Sequence, residues 1–305
     1  MRQHFITLMD LGFEGMVELL YRADELKKMR GCADHPRSLV GKSIALILEK
    51  ASTRTRVSFE VGIYELGGLT IVLSGKDSQL GRGEPPEDTA RVLSRYVHGI
   101  VYRTFGHERI ESLAQASSVP VINALTDKYH PCQVLADLMT IRENRRSGLQ
   151  KLRVAWIGDG NNMAHSWILA AALAGFELRL ACPPGYEPAA EVLQRARAQG
   201  RGAITVTEQA DEAVRGAHVV TTDVWASMGQ EQENAARKRI FAEYSVTAER
   251  MAKADPSAIF LHCLPAHRGE EVAAEVIDGP SSRVWDQAEN RLHVHKALLR
   301  MLCSP

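Results

Sequence analysis

The sequence carries no excess of either charge, since Lys plus Arg and Asp plus Glu both total 37 in 305 residues. A neutral balance argues against a nucleic-acid binder or a membrane-surface protein, while leaving room for a local basic pocket. Cysteine is scarce and unpatterned: Cys32, Cys132, Cys182, Cys263 and Cys303 are odd in number, widely spaced and contain no CxxC pair. A disulfide framework is therefore not expected, and a reduced, cytosolic chain is the simplest account. Long apolar runs are missing too. The longest, Trp167 to Phe176, falls well short of the ~18 residues that mark a bilayer span. Met1-Arg2-Gln3-His4-Phe5 lacks the apolar region of a secretory signal, so the expected location is cytoplasmic. There is no internal repeat and no low-complexity linker. What remains is an ordinary soluble composition, 45% apolar and 24% charged, in a length that suggests two domains.

One stretch stands out. Ser52-Thr53-Arg54-Thr55-Arg56 packs three hydroxyls and two guanidinium groups between the apolar run Ile44-Ala45-Leu46-Ile47-Leu48 and the helical-looking Val57-Ser58-Phe59-Glu60-Val61. A buried strand feeding a polar loop that opens a helix aims unpaired N–H groups and the positive end of the helix dipole at the loop's contents. Phosphate is the natural guest. The competing account is that the hydroxyls cap the helix while the arginines pair with Glu49 and Glu60. Capping explains one hydroxyl, not three with two arginines.

Elsewhere the chain alternates strand and helix. A first amphipathic helix is expected from about Gly15 to Met29, with Met16, Leu19, Leu20, Ala23 and Leu26 on one stripe. Gly41-Lys42-Ser43 imitates the end of a P-loop, but Pro36 stands where its first glycine belongs and no strand precedes it. Strands are expected at Leu69 to Leu73, Gly99 to Tyr102, Val119 to Ile122, Val154 to Ile157, Leu178 to Ala181, Val219 to Thr222 and Ile259 to Leu261. Helices are expected over Thr89 to Tyr96, Trp167 to Leu173 and Arg291 to Cys303. The polar stretch Ser74 to Asp88 is long enough to be functional, and Lys76, Gln79 or Arg82 could meet an anion there.

Gly158-Asp159-Gly160-Asn161-Asn162 follows a strand as a dinucleotide fingerprint does. Met163 takes the third glycine's place, however, and Cys182-Pro183-Pro184 stands where a ribose-binding acid would follow the next strand. A dehydrogenase is the weaker alternative. Five polar clusters, Ser52 to Arg56, Arg103, Asp159 to Asn162, Asp223 to Gln230 and His262-Cys263, each follow an apolar strand. Ligands of open α/β sheets bind beyond the carboxyl ends of strands, so the expected fold is α/β, two doubly wound parallel-sheet domains with the active site in the crevice between them.

Ser52-Thr53-Arg54-Thr55-Arg56, His130-Pro131-Cys132-Gln133, Asp223-Val224-Trp225-Ala226-Ser227-Met228-Gly229 and His262-Cys263-Leu264-Pro265 together resemble the ornithine carbamoyltransferases, within the aspartate/ornithine carbamoyltransferase family. The similarity runs from about His4 to the C-terminal helix. The resemblance implies a carbamoyl-phosphate domain, 1–131, with the helix 289–305 packing back on it, and an ornithine domain, 132–288. It implies a homotrimer with Gln79 reaching the neighbouring active site, and a cis Leu264–Pro265 bond. Ser52, Thr53, Arg54 and Thr55 would hold the phosphate, and Arg103, His130 and Gln133 the carbamoyl end, with Arg291 also reaching carbamoyl phosphate. Cys263 and Leu264 would line the seam where both substrates meet. Asn162, Asp223, Ser227 and Met228 would contact ornithine.

The chemistry fits that assignment. Carbamoyl phosphate is a dianion, and charge-assisted hydrogen bonds to it are worth about 1.5–3 kcal/mol each. Attack by an amine places negative charge on the carbonyl oxygen, for which Arg103, His130 and Thr55 are the expected donors. Cys263 and Asp223 are expected to position the neutral δ-amine of ornithine while the departing phosphate accepts its proton; covalent catalysis by Cys263 is the competing idea. Arg54, Arg103, His130, Cys263 and Asp223 are thus the expected catalytic residues. Arg56 is assigned to a structural ion pair. His262, Cys263 and His267 lack a fourth ligand at a recognised spacing, so neither a metal nor another cofactor is expected. Transfer to putrescine or N-acetylornithine, and a catalytically silent binding partner of the same fold, are the alternatives. Asp223 argues for ornithine, because it can pair with an α-ammonium that putrescine lacks and acetylation neutralises.

Overall fold

The computed structural model describes residues 4–75, 78–145, 148–226 and 234–304. The chain divides into two compact units, Met1–Met139 with Glu289–Pro305, and Thr140–Ala288. The helices Pro131–Asn144 and Val284–Cys303 each run through a boundary between them.

The first unit is built on a four-stranded parallel sheet in the order β2-β1-β3-β4: β1 (Ser43–Leu48), β2 (Leu69–Ser74), β3 (Gly99–Arg103) and β4 (Val121–Leu125). Every residue of β3 and β4 is buried, as continuous apolar strands covered on both faces should be. The outer edge of β4 is closed by Phe5, whose N–H donates to Val121 O and whose carbonyl accepts from Asn123 N, both at 2.8 Å. The opposite edge strand β2 instead exposes Leu69 and Ile71. Gly41-Lys42-Ser43 leads into β1 rather than out of a strand, so it has no P-loop geometry.

The second unit carries a five-stranded parallel sheet in the order β7-β6-β5-β8-β9: β5 (Arg153–Ile157), β6 (Glu177–Ala181), β7 (Ala203–Thr207), β8 (Val219–Thr222) and β9 (Ile259–His262). The helix Asn162–Ala174 packs against it and is buried from Met163 to Ala174. Asn161 caps its start, and Gly175 ends it in the left-handed conformation at φ 80°. In both sheets the strand order reverses once, between β1 and β3 in the first and between β5 and β8 in the second. Ligands bind at such switch points.

Boundaries differ from the sequence expectation where proline or a cap decides them. The expected helix Thr89 to Tyr96 is Pro86–Leu93, with proline in its first turn and the following residues closing as a turn, Tyr96 N to Leu93 O at 2.9 Å. The strand expected at Val119 to Ile122 begins only after Pro120 and reaches Leu125. The C-terminal helix starts at Val284, seven residues before Arg291. Strand β7 and the helix Pro131–Asn144 carry no strong sequence signal. The first is a half-exposed edge strand, and the second is buried all round its first turns and so shows no apolar stripe.

Within the first unit the helix Thr53–Glu65 lies against the C-terminal helix through a series of side-chain contacts. Arg291 Nη2 donates to Thr55 Oγ1 at 2.9 Å, the His295 ring stacks on Phe59 at 3.7 Å, and Lys296 Nζ pairs with Glu65 at 2.6 Å. A Cβ on Gly62 would sit 3.2 Å from Lys296 Cγ, so the helices approach closely there. Lys296 has no exposed surface, and Glu65 supplies its counter-charge.

Two outcomes are expected. Glu65→Gln leaves the Lys296 ammonium without that counter-charge and should cost about 3 kcal/mol, read from the urea midpoint. Burial, then Lys296, pushes His293 down to about 4, and burial, then Arg291, holds His295 well below the usual histidine range. Both stay neutral in the fold while the unfolded chain takes up protons below about pH 6.5. Their contribution is thus fully present above that pH and falls by roughly 1.4 kcal/mol per unit for each as pH drops towards the folded pKa. Urea midpoints between pH 7.5 and 5 should fall steeply, and His295→Leu should flatten the fall.

Candidate active site

All five polar clusters do follow strands: Ser52 to Arg56 after β1, Arg103 at the end of β3, Asp159 to Asn162 after β5, Asp223 after β8 and His262-Cys263 at the end of β9. Two belong to the first unit and three to the second.

In the first unit Ser52 is the N-cap of the helix Thr53–Glu65, and its hydroxyl accepts from Thr55 N at 3.3 Å. Capping therefore engages one hydroxyl as an acceptor. Thr53 is exposed and Arg54 half-buried at the open end of the helix. Thr55 is fully buried, and its oxygen accepts two guanidinium N–H groups, from Arg291 at 2.9 Å and from Arg103 Nη1 at 3.4 Å. Both arginines are buried themselves. With its oxygen accepting both groups, the Thr55 hydroxyl keeps its hydrogen as a donor. His130 lies at the start of the helix Pro131–Asn144, its carbonyl accepting from Gln133 N at 3.2 Å. Burial, then Arg291, Arg103, His295 and Arg54, hold it well below the usual histidine range. The imidazole is therefore neutral at physiological pH, and the three arginines around it, Arg291, Arg103 and Arg54, make a cluster suited to an anion.

The acids nearby are otherwise engaged. Glu49 accepts from Tyr102 Oη at 2.8 Å, from Arg109 Nη2 at 2.6 Å and from Thr104. Burial alone would raise its pKa, but these hydrogen bonds outweigh it and lower it. Arg56 is exposed and paired with Glu60 at 3.2 Å, the structural ion pair expected of it. Gln133 is buried with its amide bonded to Asp137 at 2.9 Å. Cys132 is core: its thiol contacts Asn123 O at 3.3 Å, and burial pushes it up to about 12.

In the second unit Asp223 is the hub. Its carboxylate accepts from Asn161 Nδ2 at 3.0 Å, from its neighbour's Val224 N at 2.8 Å and from Cys263 Sγ at 3.0 Å. Asn161 works twice, because its side-chain oxygen also caps the next helix by accepting from Met163 N and Ala164 N. Asn162 opens that helix. The segment after β9 is held from behind: His262 Nδ1 accepts from Leu264 N at 2.9 Å, and its Nε2 lies 3.3 Å from Glu271 Oε1, both side chains fully buried. Leu264 has φ 58°, a left-handed conformation that costs a leucine roughly 1–3 kcal/mol and persists only where its surroundings enforce it. The Leu264–Pro265 bond is cis.

Gln79 is exposed on a short 3-10 helix, Gln79–Arg82. Lys76, Ser227 and Met228 lie outside the described residues. The sequence places Asn161 in the cluster Asp159 to Asn162 without a role of its own, and does not single out Glu271 or Arg237. Asn161 was the accessible one, since asparagine just before an apolar helix is a preferred N-cap. Among the described residues, two groups of His, Cys, Asp and Glu have ligand-capable atoms within 4.8 Å of one another, Asp223-His262-Cys263 and His267-Glu270-Glu271. Hydrogen bonds or ion pairs among themselves and with Asn161, Leu264 and Lys238 already occupy these groups.

Comparison with known proteins agrees with this layout. Residues 3–143 match the carbamoyl-P binding domain of aspartate/ornithine carbamoyltransferase, and residues 150–302 match its Asp/Orn binding domain. The ornithine carbamoyltransferase of Desulfotalea psychrophila is 56% identical over 299 residues, 98% of each chain, and that of Pelobacter propionicus 53% over 302 residues, 99% of each. Among solved structures, ornithine carbamoyltransferase from Pyrococcus furiosus is 46% identical with a TM-score of 0.93, over 99% of this chain and 97% of that one. The anabolic enzyme from Campylobacter jejuni is 42% identical with a TM-score of 0.93, over 98% of each. Matched along nearly its whole length, with two domains in the same order, this chain belongs to the aspartate/ornithine carbamoyltransferase family.

Proposed function

We propose that this chain transfers the carbamoyl group of carbamoyl phosphate to the δ-amine of L-ornithine, giving L-citrulline and phosphate, a step of arginine metabolism. The observation that carries this reading is the meeting of two buried guanidinium groups, Arg103 and Arg291, on Thr55 at the N-terminus of the helix after β1. A site so rich in donors suits a dianion, and Ser52, Thr53, Arg54 and Thr55 are the groups to hold its phosphate. Arg103 and the neutral His130 donate to the carbonyl oxygen, with Gln133 behind them in the same helix turn. As the amine nitrogen bonds to the carbamoyl carbon, charge collects on that oxygen and is stabilised there. The C–O bond to phosphate then breaks, and the departing phosphate takes the amine's proton.

Asp223 and Cys263 are the amine side of the reaction. Asp223 pairs with an ammonium group of ornithine, and Cys263, bonded to it, together with Leu264 borders the reacting carbon; Asn162, Ser227 and Met228 complete the ornithine contacts. Copies of the chain associate as a homotrimer. Exposed Val57 and Tyr64 on the helix Thr53–Glu65, and exposed Leu69 and Ile71 on edge strand β2, support burial against another copy. Gln79 follows on the same edge of the chain and would reach the neighbour's site. None of the five cysteines is in a disulfide, in keeping with a cytoplasmic location.

Three measurements test this. Carbamoyl transfer assayed in parallel with ornithine, putrescine, N-acetylornithine and aspartate should show strong preference for ornithine; preference for another amine would refute the role of Asp223. Arg103→Ala should lower kcat by about 10²–10³-fold, as loss of an oxyanion donor does. Cys263→Ser should retain substantial turnover, because the thiol positions the amine without forming a covalent intermediate; its complete inactivity in a folded variant would favour the covalent route.

A further inference from the structure

Arg237, on the helix Asn234–Phe241, is almost fully buried, at 6% exposure. Its surroundings fix it on several sides. Nη1 donates to Asp159 Oδ2 at 2.7 Å and to the Trp225 carbonyl at 2.8 Å. The guanidinium lies 4.9 Å from the centre of the Tyr186 ring and 5.8 Å from that of Phe241. The Trp225 ring in turn stacks on Phe241. The two oxygens that Arg237 joins follow β5 and β8, the strands on either side of the second sheet's switch point.

From Asp159 the contacts lead directly to the site. Trp156 Nε1 donates to the Asp159 carbonyl at 3.0 Å, and Gly160 N to the Tyr186 carbonyl at 2.8 Å. A Cβ on Gly160 would fall 2.2 Å from Pro188 N, so the turn is pressed against the backbone beyond β6. The next residue, Asn161, holds Asp223 at 3.0 Å, and Asp223 holds Cys263. Asp159 is half-buried, and partial burial raises its pKa while Arg237 opposes the rise.

We propose that Arg237 is a positioning residue for the amine half of the reaction. By gripping Asp159 and the Trp225 carbonyl together, it fixes the turn that aims Asn161 at Asp223, and so sets the carboxylate that receives an ammonium group of ornithine. A lysine cannot reproduce this, because a point charge offers neither the planar fork nor the stacking on Tyr186.

The inference rests on the reading of the chain as an ornithine carbamoyltransferase, and its test separates the two. The full-length wild type, Arg237→Gln, Arg237→Lys, Asp159→Asn and the Arg237→Gln/Asp159→Asn double variant are compared by steady-state transfer with each substrate varied in turn. Arg237→Gln and Asp159→Asn should raise the ornithine KM by roughly 10- to 100-fold and leave the carbamoyl-phosphate KM unchanged. Arg237→Lys should restore part of the loss, and the double variant should be no worse than the worse single, since both cut one connection. Equal changes in both KM values, or additive losses, would overturn the proposal. If Arg237→Gln does not fold, wild-type ornithine KM in both Arg237→Lys and Asp159→Asn would overturn it as well. A wild type that does not carbamoylate ornithine would refute the function, and a second readout then decides the positioning role. Iodoacetamide alkylation of Cys263, followed by mass spectrometry, should quicken several-fold in Arg237→Gln as Asp223 is released from the thiol, with exposed Cys32 as the unchanged reference. Unaltered Cys263 reactivity would count against the proposal.

Discussion

Like charges brought together out of water repel, and the first unit is shaped by that constraint. Arg103 and Arg291 share the Thr55 oxygen, His130 sits in their field, and two helix N-termini add their positive ends. Such a cluster holds its geometry only because rigid elements impose it. Arg103 ends a fully buried strand, and Arg291 is registered against Thr55 by the His295–Phe59 stack and the Lys296–Glu65 pair further along the same two helices. An anion among these groups would offset that repulsion. His130 answers the same field by staying neutral, which suits a hydrogen-bond donor to a carbonyl better than a further cation would.

The second unit meets a different need. It holds the Asp223 carboxylate and the Cys263 thiol in a defined orientation by hydrogen bonds instead of charge density. Asp223 is bonded from three directions, and Cys263 is followed by a leucine in a conformation that leucine resists, held there by the buried His262 and Glu271. Rigid support behind reacting groups limits how far they wander from the productive geometry, and small misplacements of such groups are costly in rate.

Much of this was legible in the sequence because apolar strands are easily recognised and the residues just past their carboxyl ends sit where ligands bind. Ser52 to Arg56, Arg103, Asp223 and Cys263 were found in that way, and each does follow a strand. The helix Pro131–Asn144 was not, since a helix buried on every side has no stripe to read, and β7 was not, since its alternation is short and half-exposed. Arg237 could not be singled out among 37 basic residues, because its partner Asp159 is 78 positions away and only the packing of the turn after β5 brings them together. Residues that touch substrate leave marks in local sequence, whereas those that hold them in place are defined by contacts distant along the chain.

The first unit is also discontinuous. Residues 140–288 form a unit that is contiguous along the chain, whereas the unit that holds Thr55 is completed by residues from Glu289 onward, Arg291 among them. During synthesis from the N-terminus the second unit therefore has all its residues before the first does, although it is begun later. Until Arg291 leaves the ribosome, Thr55 lacks one of its two guanidinium partners and the helix Thr53–Glu65 lacks the neighbour that covers Phe59 and pairs Glu65. The cluster around Thr55 is thus among the last parts of the molecule to be completed.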